Sequence, residues 1–101
     1  MIFLYIPCKD VDEAREIGKM LIEQRIAGKV DIMPIQSVYR GNNGVEEKKG
    51  VTMFVETIDD KIQEVEDIVR NYYKKEIPCI ATFMLHRMNR EFREWLVTSV
   101  T

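Results

Sequence analysis

Two stretches of this chain are apolar with little or no interruption. Ile2-Phe3-Leu4-Tyr5-Ile6 is one, and the run from Ile77 to Leu85 is nearly another. A strand with one wet face alternates apolar and polar residues, so an unbroken run predicts a strand that meets water on neither face. Between the runs the period changes. Asp10 reads as a helix N-cap with Glu13 three residues on, as in a capping box. Val11, Ala14, Ile17, Gly18, Leu21 and Ile22 then fall on one helical face, with Gly18 read as a close-packing position and Gly28 as the helix end. A long strand is expected over residues 30–40, interrupted by Pro34, which implies an edge position or a bulge. Gly41-Asn42-Asn43-Gly44 is a turn signal, and a second long strand runs from Val45 to Glu56. A second helix starts near Ile58, with Ile58, Ile62, Val65, Val69 and Tyr72 in its stripe. A fourth strand covers 77–86. A short last helix starts at the N-cap candidate Asn89, with Phe92, Trp95 and Leu96 on one face and Trp95 as its anchor.

The order is β-α-β-β-α-β plus a terminal helix, in one domain spanning residues 1–101. That is the split-βαβ pattern, an α+β ferredoxin-like sandwich with a long hairpin between its second and third strands. Helices in this arrangement cover one face of a four-stranded antiparallel sheet. The other face is also predicted to be apolar, and the chain has nothing left to cover it. A second copy of the chain is the expected cover, in a threefold ring or a twofold dimer.

Charge narrows the function. Fifteen basic and seventeen acidic residues leave a formal net charge of -2. No basic field is available for nucleic-acid binding, and no apolar stretch approaches the ~20 residues of a membrane span. Two cysteines, Cys8 and Cys79, make no disulfide framework, and the strand-like start lacks signal-peptide features. A soluble cytoplasmic protein is the expectation.

Several segments together resemble the CutA family, small trimeric proteins linked to divalent-cation tolerance. They are Ala14, Ile17, Gly18, Leu21 and Arg25-Ile26-Ala27; Ser37, Tyr39 and Thr57; Glu76-Ile77-Pro78-Cys79-Ile80; and Phe92 with Trp95-Leu96. The resemblance implies a homotrimer in which sheets pack around a threefold axis and hairpins pair between neighbours. It also implies an architecture like that of the PII signalling proteins. The chain departs from the family pattern where Lys29 replaces a cysteine, Asp31 an asparagine and Gly41 a tryptophan. Gly50 and Glu56 replace a Glu and a Lys of the third strand, and Tyr73-Lys74-Lys75 replaces His-Pro-Tyr. The resemblance carries fold further than site chemistry.

Candidate chemistry is sparse. Metal ligands are limited to Cys8, Cys79, His86 and the methionines, without the spacing of a closed zinc site. First and fourth strands are antiparallel neighbours in this topology, so Cys8 at the end of one is expected near Cys79 at the start of the other. Two thiolates suit Cu(I), although packed, reduced thiols are the plainer expectation. His86 reads as a surface histidine at a strand end, and the methionines as core. Asp31, Glu46 and Glu47 are oxygen donors for a hard cation, and Lys29, Arg40, Lys48 and Lys49 would meet an anionic ligand. Tyr39 reads as packing or as an interface contact. No nucleophile elbow, phosphate-cradling loop or acid–base set is present. The leading expectation is a non-enzymatic trimer of metal-ion (copper) response needing no cofactor, with a divalent cation or copper as its ligand. The alternatives are a PII-like sensor of a small molecule or nucleotide and a scaffold for a partner protein.

Overall fold

The computed structural model describes residues 1–101 and has the expected order of elements. Strand β1 (Ile2–Cys8) leads into helix α1 (Val11–Glu23), and strands β2 (Lys29–Gly41) and β3 (Gly44–Thr57) form the hairpin. A 3-10 turn at Asp59–Lys61 opens helix α2 (Ile62–Tyr72). Strand β4 (Ala81–Met84) and helix α3 (Arg90–Val100) complete the chain. The sheet order is β2-β3-β1-β4, with every neighbouring pair antiparallel.

One sheet face carries the core. Ile2, Leu4 and Ile6 of β1 and Met53 and Val55 of β3 are buried in one cluster with Ala14, Ile17 and Leu21 of α1 and Val65 and Val69 of α2. Helix α1 starts as expected. Asp10 Oδ1 accepts the Glu13 N–H at 2.9 Å, and Glu13 Oε1 accepts the Lys9 N–H at 3.1 Å.

The end of α1 corrects the sequence reading. Arg25, not Gly28, ends the helix, with φ at 57°. The Ile26 N–H donates to Leu21 O at 2.9 Å and the Arg25 N–H to Ile22 O at 3.0 Å, which is a Schellman closure. A left-handed residue with a Cβ costs roughly 1–2 kcal/mol. The Arg25 guanidinium offsets this by donating to Thr98 O at 2.9 Å and Thr101 O at 3.2 Å, carbonyls at the end of α3. Gly28 has a different task. A Cβ there would lie 2.5 Å from Leu96 Cδ1, so glycine is what lets α3 dock.

Helix α3 lies outside the main core. Its buried residues, Leu96 and Val100, are not part of that cluster. Phe92 sits over Lys29, whose cross-strand partner Glu56 faces away from α1 and α2. The terminal helix therefore covers one corner of the second face. Leu96 is its anchor; the expected anchor, Trp95, is 46% exposed and stacks on Phe92 at 5.2 Å. Asn89 caps the helix with its backbone only, its amide reaching Glu91 instead.

The rest of the second face is open. Phe3 pairs with Phe83 and Tyr5 with Phe54, the latter with ring centroids 5.6 Å apart, and Phe83 is 51% exposed. Beyond the Cys8–Val51 pair no third strand accompanies the hairpin, so residues 35–50 project as a two-stranded arm. This gives the molecule its 47 Å length against widths of 27 and 20 Å. Pro34 sits on edge strand β2 opposite Val51, as its missing N–H requires.

The fourth strand is shorter than expected, four residues rather than ten. Cys79 therefore lies in an irregular connection and outside the ladder. Pro78 removes one donor, and β1 is paired by β4 only from Ile2 to Tyr5. No helix is long and apolar enough to cross a membrane.

Candidate functional site

Where the arm leaves the sheet, three elements enclose a cleft of about 710 Å³. The end of β1 supplies Pro7, Cys8 and Lys9. The arm supplies Ser37, Tyr39, Lys48 and Lys49, and the α2–β4 connection supplies Tyr73 and Glu76 to Cys79. Tyr73 ties the site together. Its hydroxyl donates to the Glu13 carboxylate at the start of α1 and shares the cleft with the Cys8 thiol. The Cys8 Sγ–H donates to Ile6 O at 3.7 Å. On the arm the Lys48 ammonium lies 5.4 Å from the Tyr39 ring centroid.

Two groups of the cleft, Cys8 and Tyr73, are pushed toward their protonated forms. Burial pushes the Cys8 thiol up, and the nearby Glu13 and Asp10 carboxylates add to this against the Tyr73 hydrogen bond. Burial also pushes the Tyr73 phenol up, reinforced by its bonds to Glu13 and Cys8. Neither group is poised for proton transfer near neutrality.

A second polar cluster lies at the far end of the sheet under α3. Lys29 Nζ is 3.6 Å from Asp31 and 3.8 Å from Glu56, and Glu56 is buried. Two carboxylates here resemble hard-cation donors, but the Lys29 ammonium already supplies the positive charge between them. Burial raises the Glu56 pKa, its hydrogen bond to Asp31 adds to this, and Lys29 opposes both.

The folded chain therefore holds the Glu56 proton more tightly than the unfolded chain does. The ionised side chain costs stability above its folded pKa, and that cost vanishes as pH falls below the ordinary value of 4.5. Glu56→Gln is expected to melt higher than the parent protein at neutral pH, with the gap closing toward pH 4. Melting curves across that range decide it. A lower neutral-pH melting temperature would mean that the Lys29 pairing outweighs the burial.

The structure divides the residues singled out from the sequence among four places. Cys8, Cys79, Tyr39, Lys48 and Lys49 line the cleft. Lys29 and Asp31 belong to the cluster under α3. Arg40 lies near the tip of the arm, paired with Val45. His86 follows β4, past the Ile2–Met84 pair, at the opposite end of β1 from Cys8. At about 3.3 Å per residue the seven residues of β1 separate these two ends by roughly 20 Å. Of the four cations considered for an anionic ligand, Lys48 and Lys49 share the cleft, whereas Lys29 and Arg40 lie elsewhere. No three His, Cys, Asp or Glu side chains gather closely enough to hold a metal ion. Met53 is core as expected, whereas Met33 and Met84 are exposed. From the sequence, Glu13 reads only as a cap and Tyr73 only as a departure from the family pattern. The adjacent tyrosines at the end of α2 were the signal available, since Tyr72 and Tyr73 both donate to acids of α1.

An antiparallel sheet in the order β2-β3-β1-β4, two helices on one face, a projecting arm and an open apolar second face define a ferredoxin-like α+β protein. Within that class the chain belongs to the CutA family, since the family described as CutA1 divalent ion tolerance protein matches residues 2–99. A divalent-cation tolerance protein CutA of Archaeoglobus fulgidus is 33% identical over 98 residues, covering 97% of this chain and 96% of its own. The corresponding Thermus thermophilus protein is 29% identical over 97 residues, covering 95% and 92%. The solved structure described as the periplasmic divalent cation tolerance protein CutA from A. fulgidus superposes with a TM-score of 0.93 at 32% identity, covering both chains fully. The Pyrococcus horikoshii CutA1 structure also gives 0.93, at 21% identity over 100% of this chain and 99% of its own, a likeness of fold.

Proposed function

We propose that this protein is a non-enzymatic homotrimer of metal-ion response, with copper the leading ion. Membership in a family named for divalent ion tolerance carries the metal association. The open aromatic face supports assembly, because Phe3, Tyr5, Phe54 and Phe83 form a contiguous apolar surface on one sheet face. Two unpaired thiols suit a reducing compartment such as the cytoplasm, although the A. fulgidus relative is described as periplasmic.

Light scattering is expected to give three chains of 11.9 kDa per particle. Cells deprived of the protein are expected to lose growth at copper concentrations that complemented cells withstand. Unchanged copper and zinc tolerance would sink the metal-response function, and a single-chain mass would sink the trimer.

A further inference from the structure

We propose that the cleft is a two-coordinate site for a soft monovalent ion, Cu(I), held between the sulfurs of Cys8 and Cys79. This deepens the metal-response function by naming the ion class and its ligands, and rests on that function for its purpose only. Both thiols line one cleft from different elements, Cys8 at the end of β1 and Cys79 on the α2–β4 connection. Cys8 is the fixed ligand, buried at the end of β1 with its thiol on Ile6 O. Cys79 is the less constrained one: it is exposed, makes no side-chain hydrogen bond and lies outside the β4 ladder. The connection has one turn hydrogen bond, from the Glu76 N–H to Tyr73 O, so no sheet pairing fixes Cys79 in place.

The donor set selects the ion. Zinc in a structural site takes four ligands, and no three candidate ligands meet anywhere in the chain. Thiolates favour Cu(I) among the available metals, and a closed-shell monovalent ion is satisfied by two of them. Binding replaces two S–H bonds by two S–Cu bonds. One Cu(I) and two thiols give a bis-thiolate complex of charge minus one and two protons released to solvent, with no change in oxidation state. Lys9, Lys48 and Lys49 line the same cleft and balance that charge. Glu13 and Glu76 oppose it, but Glu13 is already engaged by the Tyr73 hydroxyl and the Lys9 N–H.

The test is competition for Cu(I) between the reduced, full-length protein and a chromophoric Cu(I) chelator, with Ag(I) as a redox-inert second probe. One ion per chain is expected for both. Cys79→Ser, at an exposed position with no hydrogen bond to lose, is expected to fold as the parent does and to bind at least about 100-fold more weakly. Cys8→Ser is expected to match it. Absence of Cu(I) binding, or a Cys79→Ser variant that binds as tightly as the parent, overturns the thiol site. Titration with Cu(II) and Zn(II) in parallel reads the wider function separately. Divalent binding without Cu(I) binding would remove the thiol pair and leave metal response standing.

Discussion

Replacing Phe83 with glutamate is expected to reduce the assembly to single chains. Phe83 stands on the sheet face that α1 and α2 do not cover, directly opposite Phe3 and next to the Tyr5–Phe54 pair in the ladder. In one chain it is half exposed, so a carboxylate there remains hydrated and the fold survives. In an assembly that buries this face each copy of the glutamate loses water and gains no cation. An uncompensated buried charge costs roughly 3–5 kcal/mol, and a symmetric ring meets that cost once per subunit. Light scattering reads the mass, and circular dichroism confirms that the chain stays folded. A variant of unchanged mass would place the subunit contact elsewhere.

Leu4→Ala has the largest expected effect on the fold itself. Leu4 is fully buried at the middle of β1, between Val55 of β3 and Thr82 of β4. Its side chain belongs to the cluster that joins the sheet to α1 and α2. Truncation removes three carbons and leaves a cavity that two helices and a central strand cannot easily collapse. A loss of about 3 kcal/mol is expected, equal to a fall of roughly 15 °C in melting temperature for a domain of this size. Thermal melts at one fixed protein concentration measure it, since assembly also contributes to the midpoint. A loss below about 1 kcal/mol would mean that the core repacks around the gap.

Much of the fold was legible because its signals are local. The capping pair Asp10 and Glu13, the helical stripe through Leu21 and the Gly41–Gly44 turn each act within a few residues. The alternation of β3 was equally readable: Val51, Met53 and Val55 enter the core while Phe54 and Glu56 face the other way. Periodicity carries this information because a strand or helix exposes its faces at a fixed repeat. The fourth strand misled because apolar character does not separate a paired strand from a connection beside a cleft. Ile77 is apolar and 93% exposed.

The site was legible in composition and not in arrangement. Cys8 and Cys79 do line one cleft, but Cys79 is there on a connection, not on a strand. His86 reads from the sequence as a surface histidine at a strand end, and β4, running antiparallel to β1, places it at the far end of the sheet from the cleft. Glu13 and Tyr73 are sixty residues apart and meet only because α1 and α2 pack side by side on the same sheet face. The Lys29–Asp31–Glu56 cluster depends in the same way on the β2–β3 register.

The sequence by itself determined the order of elements, the long arm and the apolar character of the second sheet face. These follow from short-range periodicity and from the balance of apolar residues against helices available to bury them. Only the tertiary structure decided where α1 stops, which corner α3 covers, how short β4 is and which side chains share the cleft. Each of those depends on contacts between residues far apart in the chain, such as Arg25 with the last turn of α3 and Gly28 with Leu96. Their energies exist only once the sheet register has brought the partners together.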